Sequence, residues 1–461
     1  MSTENALPQK QKSNLGTLEM VLYCAGYAGS GMVNLGVGTY LTFFWTDIFK
    51  IPLAAVGTIF LASRILDGVT DIFQGFLIDN TKTKYGKARP WLLWMVAPAT
   101  ISYILLFYTP NFGETARIVW AFIMYNLVAY FFLTAINLPL QSMVALITSD
   151  PKQRLTTNML AQAFSMAAAT LGNLFVVKAI AALGGGTGGY FKFYTIMGIG
   201  AAALILTAFS STTERVTLQR PPAQKVSVRD AFKAFIANKW WMIATLLMLT
   251  TTMYGPLMSV GVYYFTWNMK NPVLMGSFMS MIYAANFGAL LIATPIISRL
   301  GKINASFSGM FIQVIGGLLP LVALESIPVL MIAAALRGIG SAMLLGTRFA
   351  FMCDVVDYGE WKTGTRIEGL VFSGVSFGQK VGTGLGGALV AALLAWGGYV
   401  GGAAAQSEAT LSAIRFAFTW VHAFCSMAII ICLFFLRSLD KQMPKILEEL
   451  KSRREQQNTT A

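Results

Sequence analysis

The chain is 461 residues long, 56% hydrophobic and only 12% charged, with a mean hydropathy of +0.62 and a net charge of +14. A soluble globular domain carries about 25% charged residues. The composition therefore excludes that class and leaves a polytopic membrane protein.

Residues 1–17 form a polar tail with no apolar core and no cleavage site, so the first span is expected to serve as its own insertion signal. Beyond it, apolar stretches of roughly 20 residues recur, each long enough to cross a hydrocarbon core of about 30 Å. Twelve spans are predicted, at about 18–46, 53–79, 91–110, 115–147, 155–183, 188–210, 240–267, 273–299, 303–323, 328–352, 368–398 and 410–437. They must be helices, because only a helix satisfies every backbone polar group within its own segment. The longest polar interruption, 211–239, follows the sixth. This predicts an N-terminal six-helix bundle at 18–210, a central loop at 211–239, a C-terminal bundle at 240–437 and a tail at 438–461. The halves echo each other: GFLIDNTKTKYGKARPW follows the second span and ATPIISRLGKINASF the eighth, each with a Gly-Lys turn. An all-α membrane protein with two six-helix repeats is the layout of the major facilitator fold, with a midplane site between the halves.

The basic residues sort by side. Of the 34 Lys and Arg, 24 lie on one side, most of them in Lys82 to Arg89, in the run from Arg215 to Lys239 and in the tail from Arg437. The other side has five: Lys50, Arg117, Lys192, Lys270 and Arg415. This asymmetry predicts cytoplasmic termini in a bacterial plasma or inner membrane. The net charge thus reports topology, and no nucleic-acid partner is implied. Cys24, Cys353, Cys425 and Cys432 are spaced for neither a zinc site nor a disulfide framework.

Ionisable residues within spans need a reason, since each costs at least about 2.5–3.5 kcal/mol at the bilayer centre. In RILDGVTDIFQGFLIDN, residues 64–80, Arg64, Asp67 and Asp71 fall at i, i+3 and i+7 on one helix face. One salt bridge to Arg64 accounts for one carboxylate and leaves the other. Two carboxylates a turn apart, with Thr70 beside them, supply hard oxygen ligands for sodium or a site for a proton. That reading is preferred over a purely structural one. Lys380 stands mid-span among Gly378, Gly382 and Gly386, where snorkelling is hard, and either pairs with those carboxylates or contacts solute. Arg337 and Arg348 lie three turns apart on the tenth span, with structural and solute-binding roles evenly weighed. Lys178 is read as snorkelling and His422 as packed. Tyr23, Tyr27, Tyr40, Phe44 and Trp45 give the first span an aromatic face, for which packing is favoured over sugar stacking.

RILDGVTD, GKARPW and above all DVVDYGEWKTGTRIEG at 354–369 resemble the glycoside–pentoside–hexuronide:cation symporters, the family of melibiose permease and bacterial glucuronide carriers. The resemblance covers nearly the whole chain, including YLTFFWTDIFKIP at 40–52 and LITSDPKQR at 146–154. It implies that Asp67 and Asp71 form the cation site, that Thr70 and Thr134 assist it, and that Lys380 is the family's eleventh-span lysine. The sugar positions depart from the family. Gly31 stands for a first-span Asp, Asn137 and Gln141 for an acidic residue and a Trp on the fourth span, and Ala161 or Gln162 for a fifth-span Arg. Arg348 stands where relatives have a neutral residue. Fewer carboxylates and an added cation suit an acidic solute.

The expectation is therefore a monomeric transporter, not an enzyme, with no cofactor. It couples Na+ or H+ to uptake of a glycoside, pentoside or uronate across the bilayer. Asn34, Tyr40, Asn137, Gln141, Trp267, Arg348 and Lys380 are the expected solute contacts. A symporter or flippase for a non-sugar organic anion or lipid-like solute is the alternative on the same fold. A membrane transferase is disfavoured, because the chain has one histidine and neither HExxH nor GxSxG.

Overall fold

The computed structural model describes residues 15–215, 238–364 and 368–460; at a few positions within these helices, Asp71 among them, only the backbone is described. Among the described residues twelve helices are long and apolar enough to cross a membrane. They are α1 Thr17–Ile48, α2 Leu53–Ile78, α3 Arg89–Leu106, α4 Glu114–Ile147, α5 Lys152–Ala182, α6 Gly186–Ser211, α7 Trp240–Asn268, α8 Val273–Leu300, α9 Lys302–Val322, α10 Ile327–Thr363, α11 Val371–Trp396 and α12 Glu408–Arg453. Large apolar side chains such as Phe76, Phe175, Leu291, Phe377 and Phe434 are exposed around them. A soluble protein would bury such a belt; here it is the surface that meets lipid.

The helices form two bundles of six. In the first, α1 packs against α5 and α6, and α3 against α6; in the second, α7 packs on α11, α10 on α8 and α9, and α12 on α7 and α9. The bundles meet along two seams, α2 with α11 and α5 with α8. Close crossings rest on small residues. Any Cβ at Gly276 of α8 would lie 2.1 Å from the Asn173 carbonyl of α5.

The twelve described spans put the start of α1 and the end of α12 at one face, the termini face. There the Gly-Lys echo is visible in three dimensions. Gly86 has φ +105° and Gly301 φ +77°, backbone that disfavours side chains. Beyond Gly86, the Glu214 carboxylate accepts the N–H groups of Lys87, Ala88 and Arg89, each at 2.8 Å, and so caps the positive end of α3. Beyond Gly301, Lys302 pairs with Asp354 and, at 3.3 Å, with Asp440.

Two helices outrun the sequence expectation. The helix α10 continues past 352 to Thr363, because its polar end is anchored on other elements. Asn238 donates to the Val355 carbonyl at 2.8 Å, and Trp361 Nε1 donates to Glu449 at 2.6 Å. The helix α12 continues past 437 because Leu439, Met443, Ile446 and Leu450, spaced three or four apart, bury one stripe against the C-terminal bundle. The DVVDYGEWKTGTRIEG stretch, so conspicuous in sequence, thus braces the termini face; its residues 365–367 lie outside the described residues.

Candidate functional site

The acidic stripe of α2 lies where the first bundle meets α11. Asp67 is 8% exposed, and its Oδ2 accepts Arg64 Nη1 at 2.7 Å. The other Arg64 terminal nitrogen donates to the Tyr125 hydroxyl of α4, and the guanidinium lies 5.8 Å from that ring's centre. The Asp67 carbonyl accepts two donors, Thr70 Oγ1 at 3.2 Å and, from across the seam, Lys380 Nζ at 2.7 Å. An α11 lysine thus ties itself to the backbone of an α2 acid, and Gly384 accommodates the Arg64 stem one turn along. Two cations therefore meet Asp67, and the helix carries Asp71 one turn on; the side chain of Asp71 lies outside the described residues.

Within the first bundle, Ser30 donates to Asn137 Oδ1 at 2.7 Å, and Asn34 donates back to the Ser30 carbonyl at 3.0 Å. Asn34 and Gln141 are exposed. Gly31 opens no pocket. A Cβ there would sit 2.5 Å from the Ser165 carbonyl, so the position is set by the α1–α5 crossing and has no room for a carboxylate.

Tyr40, Thr134 and Trp267 share a feature that sequence patterning does not show. Each lies in a π-helical turn, at Gly36–Tyr40, Ala129–Thr134 and Tyr264–Asn268. Such turns re-aim side chains and recur at functional sites. Thr134 is buried, and Tyr40 is fully buried with its hydroxyl 3.3 Å from Asn173 Oδ1. Trp267 donates to the Tyr399 hydroxyl at 2.9 Å, in a contact that closes the face opposite the termini.

That contact joins the bundles through residues the sequence reading passed over. Tyr399 donates to Asp47 Oδ1 at 2.5 Å, and Thr46 lies 2.8 Å from the Tyr263 hydroxyl. Gly401 lies against the Thr46 carbonyl, where a Cβ would come within 2.2 Å. Burial first, then the neighbouring Tyr263 and Asp47, raise the Tyr399 phenol above its ordinary range, so it stays a donor. The only signal in sequence was Asp47 at the end of an aromatic run. On the other seam, Ser280 donates to the Thr170 carbonyl at 2.8 Å. Nearer the termini face this seam widens into an apolar cleft of about 450 Å³ lined by Phe164, Leu171, Tyr283 and Phe287.

In the second bundle, Arg337 is 1% exposed and donates to the Gly316 and Phe418 carbonyls at 3.0 and 2.9 Å, stacked 4.7 Å from the Phe418 ring centre. That is a helix clamp. Arg348 instead lines a cavity inside the bundle. His422 packs edge-on against Tyr254 at 5.2 Å, as expected of a buried ring.

The MFS/sugar transport protein family matches the chain over residues 22–441. The isoprimeverose transporter of Lactiplantibacillus pentosus is 33% identical over 433 residues, covering 92% of this chain and 89% of its own. The glucuronide carrier protein homolog of Escherichia coli (strain K12) is 26% identical, covering 91% of this chain and 92% of its own. A solved bacterial homolog of the human lysosomal transporter Spinster superposes with a TM-score of 0.66 at 12% identity, over 93% of this chain and 97% of that one. At that identity the likeness is one of fold.

Proposed function

We propose, on the premise that this chain belongs to the MFS/sugar transport protein family, that it couples a cation, sodium or proton, to symport of a glycoside, pentoside or uronate. Its termini face is then cytoplasmic. The observation that carries the reading is the meeting of Arg64, Asp67 and Lys380 at the α2–α11 seam. Charges are held in a bilayer-spanning segment where they cost most, and the two bundles touch through them. A cation reaching this place competes with Arg64 for Asp67 and draws on Asp71 and Thr70 for further oxygens. Relieving Asp67 of Arg64 alters the field at Lys380, and with it the tie between bundles. A bound ion can thereby bias the rocking of one bundle on the other, which coupling requires.

The contacts around Asp47 and Tyr399 close the opposite face in this conformation, while the α5–α8 cleft widens toward the termini. This suits a state open to the cytoplasm. Asn34, Asn137 and Gln141, polar and within one bundle, are the favoured solute contacts on that side; the names of the two relatives support a sugar derivative. The apolar cleft favours a second reading, a lipid-like or aromatic organic solute. Proteoliposome uptake of radiolabelled glycosides, uronates and organic anions, with and without sodium or proton gradients, separates them. Gradient-stimulated uptake of a sugar derivative is expected. Uptake confined to lipid-like solutes, or indifferent to both gradients, would overturn the reading.

A further inference from the structure

We propose that the interior of the C-terminal bundle holds a subsite for the acidic group of a hydroxylated, anionic solute; the proposal rests on the transport reading above. A cavity of about 130 Å³ lies at mid-span, walled by Tyr254 of α7, Asn286 of α8, Gln313 of α9, and Ser341 and Arg348 of α10. It is large enough for several waters or for the acidic end of a solute.

Three of its polar atoms are unmatched. The Asn286 amide nitrogen donates to the Gly338 carbonyl at 3.2 Å and the Ser341 hydroxyl at 2.8 Å, which leaves Oδ1 with no donor. Gln313 Oε1 and Arg348 Nε are likewise buried without a hydrogen-bond partner, while the Tyr254 hydroxyl has the Gln313 side chain as its hydrogen-bonding neighbour. Asn286 is 7% and Gln313 3% exposed. Native interiors pair such groups almost without exception, so unmatched atoms of α8, α9 and α10 around one cavity mark a place for a polar occupant, water or solute.

The pattern of donors and acceptors narrows the ligand. Arg348 brings a positive charge, and among the described residues it has no ion-pair partner; Asp354, the acid one and a half turns on, is taken by Lys302. A carboxylate or sulfonate can accept from Arg348 Nε. Asn286 Oδ1 and Gln313 Oε1 require hydrogens, which hydroxyl groups on the same solute supply. A fully deprotonated inorganic anion such as sulfate has no hydrogen for those two oxygens. A neutral sugar brings no counter-charge to the guanidinium, which lies 5.1 Å from the Phe349 ring centre. A solute with both features serves Asn286 Oδ1, Gln313 Oε1 and Arg348 Nε together. The same α8 that presents Asn286 here carries Tyr283 and Phe287 on the cleft between bundles, so subsite and cleft share that helix as a wall.

The test is calorimetric titration of the purified full-length chain in nanodiscs with methyl β-D-glucuronide and methyl β-D-glucoside, which differ only at C6. We expect the glucuronide to bind at least tenfold more tightly. Arg348→Gln should bring the two ligands within twofold, Arg348→Lys should restore part of the preference, and Gln313→Leu should weaken both. No binding of the glucuronide, a wild-type ratio below twofold, or a preference that survives Arg348→Gln would overturn the subsite; the wild-type ratio needs no variant to fold. Gradient-driven uptake of the glucoside with no glucuronide preference would sink the subsite and leave symport standing. A strong preference in binding without gradient-driven uptake of either would do the reverse.

Discussion

At Asp67 two roles meet in one carboxylate. It neutralises Arg64, whose side chain is only 13% exposed, and it stands where a coupled ion needs oxygen ligands. The roles separate by mutation. Asp67→Asn removes the partner of a largely buried guanidinium, which costs about 3 kcal/mol or more when the remaining charge is fully enclosed and less here, where some solvent reaches it. A lower midpoint of thermal unfolding and loss of cation-stimulated uptake are both expected. Adding Arg64→Gln should restore the midpoint and leave uptake uncoupled. Recovery of coupling in the double variant would make the pair a structural lock. The charged stripe was legible because Arg64, Asp67 and Asp71 interrupt an apolar run at helical spacing. Its partner Tyr125 was not, since a neutral side chain on another span carries no sign of what it faces. Gly31 reads in sequence as a lost carboxylate; in three dimensions it is a helix crossing, because a missing side chain looks the same whether it opens space or fills none.

Among elements, the contact at the face opposite the termini has most to say about motion. Tyr399 bridges Asp47 and Trp267 with one hydroxyl. A hydrogen bond to a charged group contributes about 1.5–3 kcal/mol, so Tyr399→Phe should shift the balance between closed and open forms of that face roughly tenfold or more. Electron–electron distances between spin labels at Asn111 and Glu325 would report it as a larger long-distance population; an unchanged distribution would show that the contact does not hold the face shut. At the termini face, Gly86→Ala strains a backbone at φ +105° and drives a methyl into the Glu214 carboxylate, 2.3 Å from its carbon. A fall in unfolding midpoint is expected, matching about 1 kcal/mol or more; no change would mean that the capped turn is not needed for stability. The twelve spans were legible because lipid demands a long apolar segment for each crossing. The extensions of α10 and α12 were not, since hydropathy ends where water begins. The stripe of Leu439, Met443, Ile446 and Leu450 was nevertheless present in the sequence for a reading by helical period. The π-helical turns leave no trace in either pattern.

For the molecule as a whole, the two bundles touch through charge at the α2–α11 seam and through an aromatic–carboxylate contact at one face, and both links must rearrange if the closed face is to open. Coupling a solute to an ion then needs the ion to change the first link. One monovalent cation moving down a tenfold gradient, with no membrane potential, releases about 1.4 kcal/mol, enough for about tenfold accumulation of a neutral solute. The decisive measurement is accumulation of a transported glycoside in proteoliposomes under such a gradient, of sodium and separately of protons, for the wild type, Asp67→Asn and Asp71→Asn. The account predicts accumulation approaching tenfold in the wild type and none above equilibration in either variant, with solute exchange down its own gradient retained. Wild-type accumulation in both variants would contradict it.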